Sequence, residues 1–225
     1  MKARELHRWD VDAAAARRIQ DQLRRRVSDA WVERPVRTIA GADVSFPQKD
    51  LALAVVVVLR FPDLQLIETA VRTSPCTFPY VPGLLSFREI PALLRAFEAL
   101  RTEPDVILFD AQGIAHPRRL GLAAHAGLLL DTPAIGCAKS RLYGTHEAPG
   151  ARRGSASELV AEDGDVVGAV LRTRSGVRPI YVSVGHRIDL QTAVGFVLAS
   201  APKYRIPEPL RLADRLTKEK RAAYR

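Results

Sequence analysis

The chain has 225 residues, 47% of them hydrophobic, which suits one large domain over residues 1–225 with a sizeable core. Lysine and arginine number 34 against 25 acidic residues, and the net charge of +9 favours a polyanionic partner such as nucleic acid. The two cysteines cannot form a framework of disulfides or a zinc motif. Residues 1–10 lack the apolar core of a signal peptide, and every apolar run is too short to cross a bilayer. We therefore expect a cytoplasmic protein without a membrane partner.

The predicted secondary structure begins with a helix and three strands. A helix capped by Asp10 or Asp12 runs to about Val32, because apolar residues recur at helical spacing. Its arginines fit a solvated face as well as a phosphate-binding one. Three strands follow, and their links are so short that we expect an antiparallel meander. These strands are predicted over residues 38–46, 51–61 and 64–73.

Helices and strands alternate in the second half of the chain. Pro91 suits the first position of a helix, where its missing N–H is harmless, so we predict a helix over 91–100 with Ile90 as its cap. Asp163 and Gly164 indicate a hairpin, and Asp189 can cap a late helix. The other predicted elements are strands 105–110, 134–138, 158–161, 166–172 and 179–184, helices 119–130 and 190–199, and a basic tail from about residue 204.

This order of elements predicts the fold class. An antiparallel meander is followed by two strands whose helical links imply parallel crossovers. We therefore expect an α/β protein with a ribonuclease H-like mixed sheet, made of three antiparallel and two parallel strands and flanked by helices. Such a topology by itself says little about chemistry.

Three carboxylates occupy positions from which they could meet. Asp43 interrupts an apolar strand, where a charge is costly unless it is paired or bound to a cation. Asp110 ends another apolar strand, and side chains on adjacent parallel strands lie roughly 5 Å apart. Glu89 precedes the Pro91 helix and can reach the same edge, although Ser86 and Glu89 also match a helix capping box. Each acid alone is better explained as structural, but the three together favour magnesium or manganese.

Other residues could serve such a site. Lys139 follows a predicted strand and could hold a phosphate, or could equally be a surface lysine. The histidines lack the spacing of a zinc motif, so His116 is interpreted as structural. Tyr80 lies between Pro79 and Pro82 on a stiff loop, which suits a packed aromatic ring or a wedge between bases.

Taken together, these motifs resemble the endonuclease V family. The resemblance implies a ribonuclease H-like fold and a magnesium-dependent endonuclease that acts on deoxyinosine, the product of adenine deamination, in single- or double-stranded DNA. Members of the family cut the second phosphodiester bond on the 3′ side of the lesion and leave a nick. The resemblance also suggests that the protein is a monomer. The matching segments span about residues 38–215 in the family's order: 39–46, 79–89, 109–121, 136–140 and 184–190.

The resemblance also implies a role for each matching residue. Asp43, Glu89 and Asp110 would bind Mg²⁺, which Mn²⁺ can replace, and Lys139 would complete the catalytic set. Asp214 would be a ligand of a second metal ion. Glycines would let backbone groups reach the edge of a flipped purine. The residues expected to contact DNA or the damaged base are Tyr80, acting as the wedge, with Pro79, Pro82, Gly83, Leu85, Gly113, His116, Gly121 and Gly136.

The sequence leaves other functions open. Another ribonuclease H-like nuclease, specific for a DNA structure or for inosine in RNA, would use the same acids without needing the Tyr80 wedge. A non-enzymatic nucleic-acid binder would rely on its arginines, but it leaves three acids beside a polyanion unexplained. Ala111 stands where many family members have glycine, and this difference bears on the base pocket rather than on the acids.

Overall fold

An eight-stranded mixed sheet with helices on both faces forms the protein, described here from a computed structural model of residues 1–224. The elements are α1 (Ala13–Leu23), β1 (Thr38–Gln48), β2 (Leu51–Arg60), β3 (Leu66–Pro75), α2 (Leu85–Glu98), β4 (Val106–Phe109), α3 (Leu122–Leu130), β5 (Ala134–Ala138), β6 (Ala156–Val160), β7 (Val166–Leu171), β8 (Ile180–His186), α4 (Leu190–Ala199) and α5 (Glu208–Arg221). The strand order is β3-β2-β1-β4-β5-β8-β7-β6. None of the described helices combines the length and the apolar character that crossing a bilayer would take.

The valine-rich strand β2 lies between two hydrophobic cores and contributes side chains to both. Val56 and Val58 belong to a core that includes residues of α2 and α3, while Val55 and Val57 belong to a core that includes residues of α4 and α5. Successive side chains of a strand point to opposite faces, so a continuous apolar run can serve both cores. β1 and β3 both pair with β2 in the antiparallel sense, which confirms the predicted meander.

Parallel pairing in the centre of the sheet places the middle of β1 beside the end of β4. β1 pairs with β4 so that Ala42 lies opposite Phe109, and β4 pairs in parallel with β5. The predicted fold class is therefore confirmed. β8 then joins β5 in the antiparallel sense, and the predicted hairpin β6–β7 extends the same sheet beyond it.

Two predicted helix boundaries are wrong. α2 begins at Leu85, so Pro91 lies inside the helix and neither Ile90 nor Ser86 is its cap. The inward face of α2, with Phe87 and Ile90, is buried against the core, and this burial offsets the hydrogen bond that proline cannot make. The first helix is capped by Asp12 as one alternative predicted, but it ends at Leu23 and a 3₁₀ turn.

Part of the predicted basic tail is a helix that packs on the sheet. α5 buries Leu210 and Ala213 in the core beneath β1 and β2. It approaches so closely at Gly41 that a Cβ there would lie 2.3 Å from the carbonyl carbon of Pro209. Glycine inside a strand often marks such a close approach of another backbone segment. The helix also carries Asp214 towards the ends of the central strands.

Candidate functional site

The three predicted acids converge at one edge of the sheet. Asp43 follows Ala42 on β1 and Asp110 follows Phe109 at the end of β4, so the parallel register places them side by side. Glu89 reaches the same edge from the second turn of α2. All three side chains are partly buried. The site lies at the carboxyl end of β4, beside the middle of the longer strand β1. Open α/β sheets place their ligands at such carboxyl ends.

Burial and neighbouring negative charge disfavour the ionised forms of two of these carboxylates, Glu89 and Asp43. Burial, followed by the charges of Asp43 and Asp110, raises the pKa of Glu89 to about 8. Burial also raises the pKa of Asp43 to about 6, and the nearby charges of Asp214 and Asp110 add to the effect, while the Thr217 hydroxyl opposes it. A site of this kind favours either a bound proton or a bound cation.

Two lysines already neutralise part of this charge. The Lys139 ammonium forms an ion pair with Asp110, and the Lys218 Nζ lies 2.7 Å from the Asp214 carboxylate. Within residues 1–224, no three acidic, histidine or cysteine side chains are close enough to form a ready-made metal site. The carboxylates therefore lie near one another, but three of them do not yet surround one position that a metal ion could occupy. Their donor atoms are all oxygens, the ligands of hard cations such as Mg²⁺ and Mn²⁺.

A cavity of about 430 Å³ opens beside Asp110 and Lys139. Six residues predicted to contact the base or DNA line it, together with residues for which the sequence predicted no binding role. The predicted ones are Tyr80, Pro82, Gly83, Leu85, His116 and Gly121, and the others include Gln20, Ser86, Gln112, Arg141 and Leu142. Tyr80 is 72% exposed, so its ring is available at the rim of the cavity.

Some predicted pocket residues do not line this cavity. Pro79 is absent from its wall, and so are Gly113 and Gly136. A Cβ on Gly113 would lie 2.0 Å from the Val184 carbonyl oxygen, and one on Gly136 would lie 2.4 Å from the Gly113 amide nitrogen. These two glycines therefore let backbone segments pack closely behind the pocket, which is a structural reason for their presence.

The loop that carries Tyr80 is anchored through the carbonyl oxygen of Gly83. Three donors surround it: Gln20 Nε2 at 3.0 Å, Arg118 Nη2 at 2.9 Å and His116 Nε2 at 3.0 Å. The His116 Nδ1 accepts a hydrogen bond from the Arg118 amide, so the ring proton must be on Nε2. Burial, with the Arg118 charge, lowers the pKa of His116 to about 4 and keeps the ring neutral.

Sequence reasoning missed Gln20 and Arg118. Gln20 is buried on α1, far along the chain from the loop that it holds, and Arg118 donates a second hydrogen bond to the Gln20 Oε1 at 2.6 Å. A lone glutamine on an amphipathic helix carries no recognisable signal. Only the packing of α1 against the loop reveals its role.

Comparison with known proteins identifies the family. The model of the endonuclease V family matches residues 20–215, which include the converging acids and the cavity. The chain belongs to the endonuclease V family. The endonuclease V of Nostoc punctiforme is 51% identical over 222 residues, which cover 98% of this chain and 100% of that protein. The predicted resemblance is therefore confirmed, and the endonuclease V relatives indicate a nuclease.

Solved endonuclease V structures share the fold. That of Streptomyces avermitilis is 45% identical with a TM-score of 0.91, covering 96% of this chain and 95% of that one. An endonuclease V of Ciona intestinalis is 27% identical with a TM-score of 0.83, covering 94% and 98% of the two chains. That structure is a complex with a 24mer DNA containing an inosine followed by a ribo-adenosine.

Proposed function

We propose that the protein is a DNA repair endonuclease that recognises deoxyinosine and hydrolyses the second phosphodiester bond on its 3′ side. The observation that carries this proposal is the position of the cavity. It shares Asp110 and Lys139 with the cluster of carboxylates, so a base held in the cavity would leave its backbone close to the acids. The Ciona intestinalis relative, bound to inosine-containing DNA, supports the choice of substrate.

Asp43, Glu89 and Asp110 would hold a divalent cation, Mg²⁺ with Mn²⁺ as a substitute, and Asp214 would contribute to a second one. The donor set fits because it consists of carboxylates: burial, and then the charges of Asp43 and Asp110, raise the pKa of Glu89, and a bound cation would offset that unfavourable charge. When bound, the cation would activate the attacking water and neutralise charge on the phosphate. Asp110 and Asp214 would then exchange their lysine partners for the cation.

Lys139 would serve the reaction from the rim of the cavity. Its ammonium is half exposed and pairs with Asp110, so it can turn towards a phosphate once Asp110 binds a cation. A positive charge placed there would stabilise the charge that develops on the phosphate oxygens. Lys139 is thus a proposed catalytic residue that acts through charge.

Tyr80 would fill the gap that the flipped nucleotide leaves in the duplex. Its exposed ring lies on a loop that is anchored at Gly83 by three hydrogen bonds, so the wedge is presented by a rigid support. Unstacking a base is less costly when another ring takes its place. Flipping would deliver the base to the cavity that Tyr80 borders.

Inosine in RNA is the second candidate substrate. The Ciona intestinalis complex has a ribose directly after the lesion, which shows that this relative accommodates a 2′-hydroxyl there. The same carboxylates would cut either backbone. The cytoplasmic location stays a prediction from the sequence, and the monomeric state stays an expectation from the family resemblance.

A cleavage assay tests the proposal. Labelled single- and double-stranded DNA with one deoxyinosine, its RNA counterpart and undamaged controls would be incubated with Mg²⁺ or EDTA. We expect a nick after the nucleotide 3′ to the deoxyinosine, lost in EDTA and with Asp43→Ala. Metal-dependent cutting that ignores inosine would replace the proposal with a general nuclease. Tight binding without cutting would mean that the acids are structural.

A further inference from the structure

Lys139 stands just beyond the point where its strand leaves the sheet. β5 pairs with β8 as far as Ala138, which lies opposite Tyr181, and the ladder of hydrogen bonds stops there. The residues that follow, 139–142, are exposed, and the Lys139 ammonium reaches Asp110 from this segment. An exposed segment without ladder hydrogen bonds moves easily unless other groups hold its backbone. The position of Lys139 therefore depends on what holds the chain at this point.

Arg205 closes the open end of the β5–β8 ladder. Its Nη2 donates hydrogen bonds of 2.9 Å to the carbonyl oxygens of Lys139 and Pro179, and its Nε donates one of 2.9 Å to that of Arg178. The carbonyl oxygens of Lys139 and Pro179 are both acceptors and cannot bond to each other, and proline has no N–H with which to continue the ladder. A guanidinium, with its donors in a fixed fork, can bridge two such acceptors.

Arg205 is itself held in place from the sheet. It lies in the link between α4 and α5, and its own carbonyl oxygen accepts a hydrogen bond of 2.6 Å from the hydroxyl of the fully buried Thr173. Burial, and then the charge of Arg178, lowers the pKa of Arg205, while the charge of Asp110 opposes this. A test of Arg205 must therefore separate its hydrogen bonds from the effect of its charge near Asp110.

We propose that Arg205 is a positioning residue, which fixes the backbone of Lys139 so that the lysine ammonium stands beside Asp110. This inference rests on the proposed function, because it takes Lys139 to act in the reaction. All three hydrogen bonds of the Arg205 side chain end on neutral carbonyl oxygens, which is the arrangement of a clamp rather than of an ion pair. A misplacement of about 1 Å can slow catalysis by about 100-fold.

Arg172 offers a matched control elsewhere in the molecule. Its guanidinium also donates to three carbonyl oxygens, those of Gly150 and Pro149 at 3.0 Å each and that of Val177. These three residues belong neither to the acid cluster nor to the cavity wall. Arg172→Met should therefore remove the same kind of clamp without slowing cleavage.

The experiment is a double-mutant cycle in the single-turnover rate of cleavage of deoxyinosine DNA with Mg²⁺ and saturating enzyme. Arg205→Met should slow cleavage by about 10- to 100-fold, and the enzyme concentration that gives half of the maximal rate should not change. In the Lys139→Met background, the same substitution should slow cleavage by no more than about twofold, because the group that Arg205 positions is gone. Arg205→Lys keeps the charge and loses the fork, so it should cleave nearly as slowly as Arg205→Met.

The outcomes separate this inference from the proposed function. If the wild-type protein does not cut deoxyinosine DNA, the proposed function is wrong and the inference falls with it. A wild-type rate in Lys139→Met would remove Lys139 from the reaction, and Arg205 would then have no catalytic group to position.

Other outcomes overturn the positioning role alone. They are a wild-type rate in Arg205→Met, a wild-type rate in Arg205→Lys, which would point to charge, and an equal loss from Arg205→Met with and without Lys139, which would point to a general structural role. Circular dichroism checks that each variant is folded. If Arg205→Met does not fold, the cycle is completed with Arg205→Lys.

Discussion

The converging acids should make the metal-free protein less stable, and Glu89 is the residue that tests this. Its pKa rises from 4.5 to about 8, mainly through burial and then through the charges of Asp43 and Asp110. The folded protein therefore holds a proton that the unfolded chain releases between pH 4.5 and 8. The contribution of this proton to the free energy of unfolding is fully present below pH 4.5, and it is lost as the pH rises to about 8.

Glu89→Gln removes this penalty while keeping the shape of the side chain. One pH unit within the window corresponds to about 1.4 kcal/mol, so the carboxylate costs the fold roughly 2–3 kcal/mol at neutral pH. In EDTA at pH 8 we expect the variant to unfold about 5–10 °C above the wild type. At pH 4 the two proteins should unfold at nearly the same temperature.

Thermal unfolding in EDTA at both pH values provides the measurement. Glu98→Gln, on an exposed position of the same helix, is the control for the loss of one glutamate. Addition of Mg²⁺ should raise the unfolding temperature of the wild type more than that of Glu89→Gln, because a cation that binds only the folded state stabilises it. A variant no more stable than the wild type at pH 8 would refute the reasoning.

Three further predictions concern the site and its support. Asp110→Asn should lower the single-turnover rate of cleavage by at least about 1000-fold, as expected for loss of metal-assisted catalysis. DNA binding should remain measurable by fluorescence anisotropy. A rate within tenfold of wild type would remove Asp110 from the mechanism. Tyr80→Ala should weaken binding to an inosine-containing duplex by about tenfold, the value of a lost stacking contact, and should weaken binding to single strands less. The unfolding temperature should not change, because the ring is exposed. Equal effects on both substrates would contradict the role of Tyr80 as a wedge. Gly41→Ala should destabilise the protein by at least about 2 kcal/mol in urea unfolding, since its Cβ would collide with Pro209 in the first turn of α5. Wild-type stability would show that α5 moves freely.

Local signals predicted the sheet and its acids well. The run of valines in β2 can be buried only between two cores, and Asp43 and Asp110 stand out because each interrupts or ends an apolar strand. The sequence also predicted the hairpin at Asp163 and Gly164 correctly. These features depend on side-chain alternation and turn chemistry, which act over a few residues.

Long-range packing overruled local preference at other points. A proline is poorly tolerated inside a helix, yet α2 includes Pro91 because burial of Phe87 and Ile90 outweighs the lost hydrogen bond. The segment after residue 204, predicted only as a basic tail, does carry good helix formers with Pro209 near their start, and it forms α5. What tertiary contacts add is its position, since Leu210 and Ala213 find a core to fill only once β1 and β2 are assembled.

The sequence by itself determined which residues could do chemistry: two acids that interrupt or end apolar strands, a third acid that could reach the same edge, and an aromatic ring between prolines. Only the tertiary structure decided how they are held. Gln20 binds Gly83 across 63 positions of the chain, and the rings of His7 and His125 share a hydrogen bond across 118. Such contacts join segments that have no local relation to each other. They form because folding brings buried polar atoms together and each must find a partner away from water.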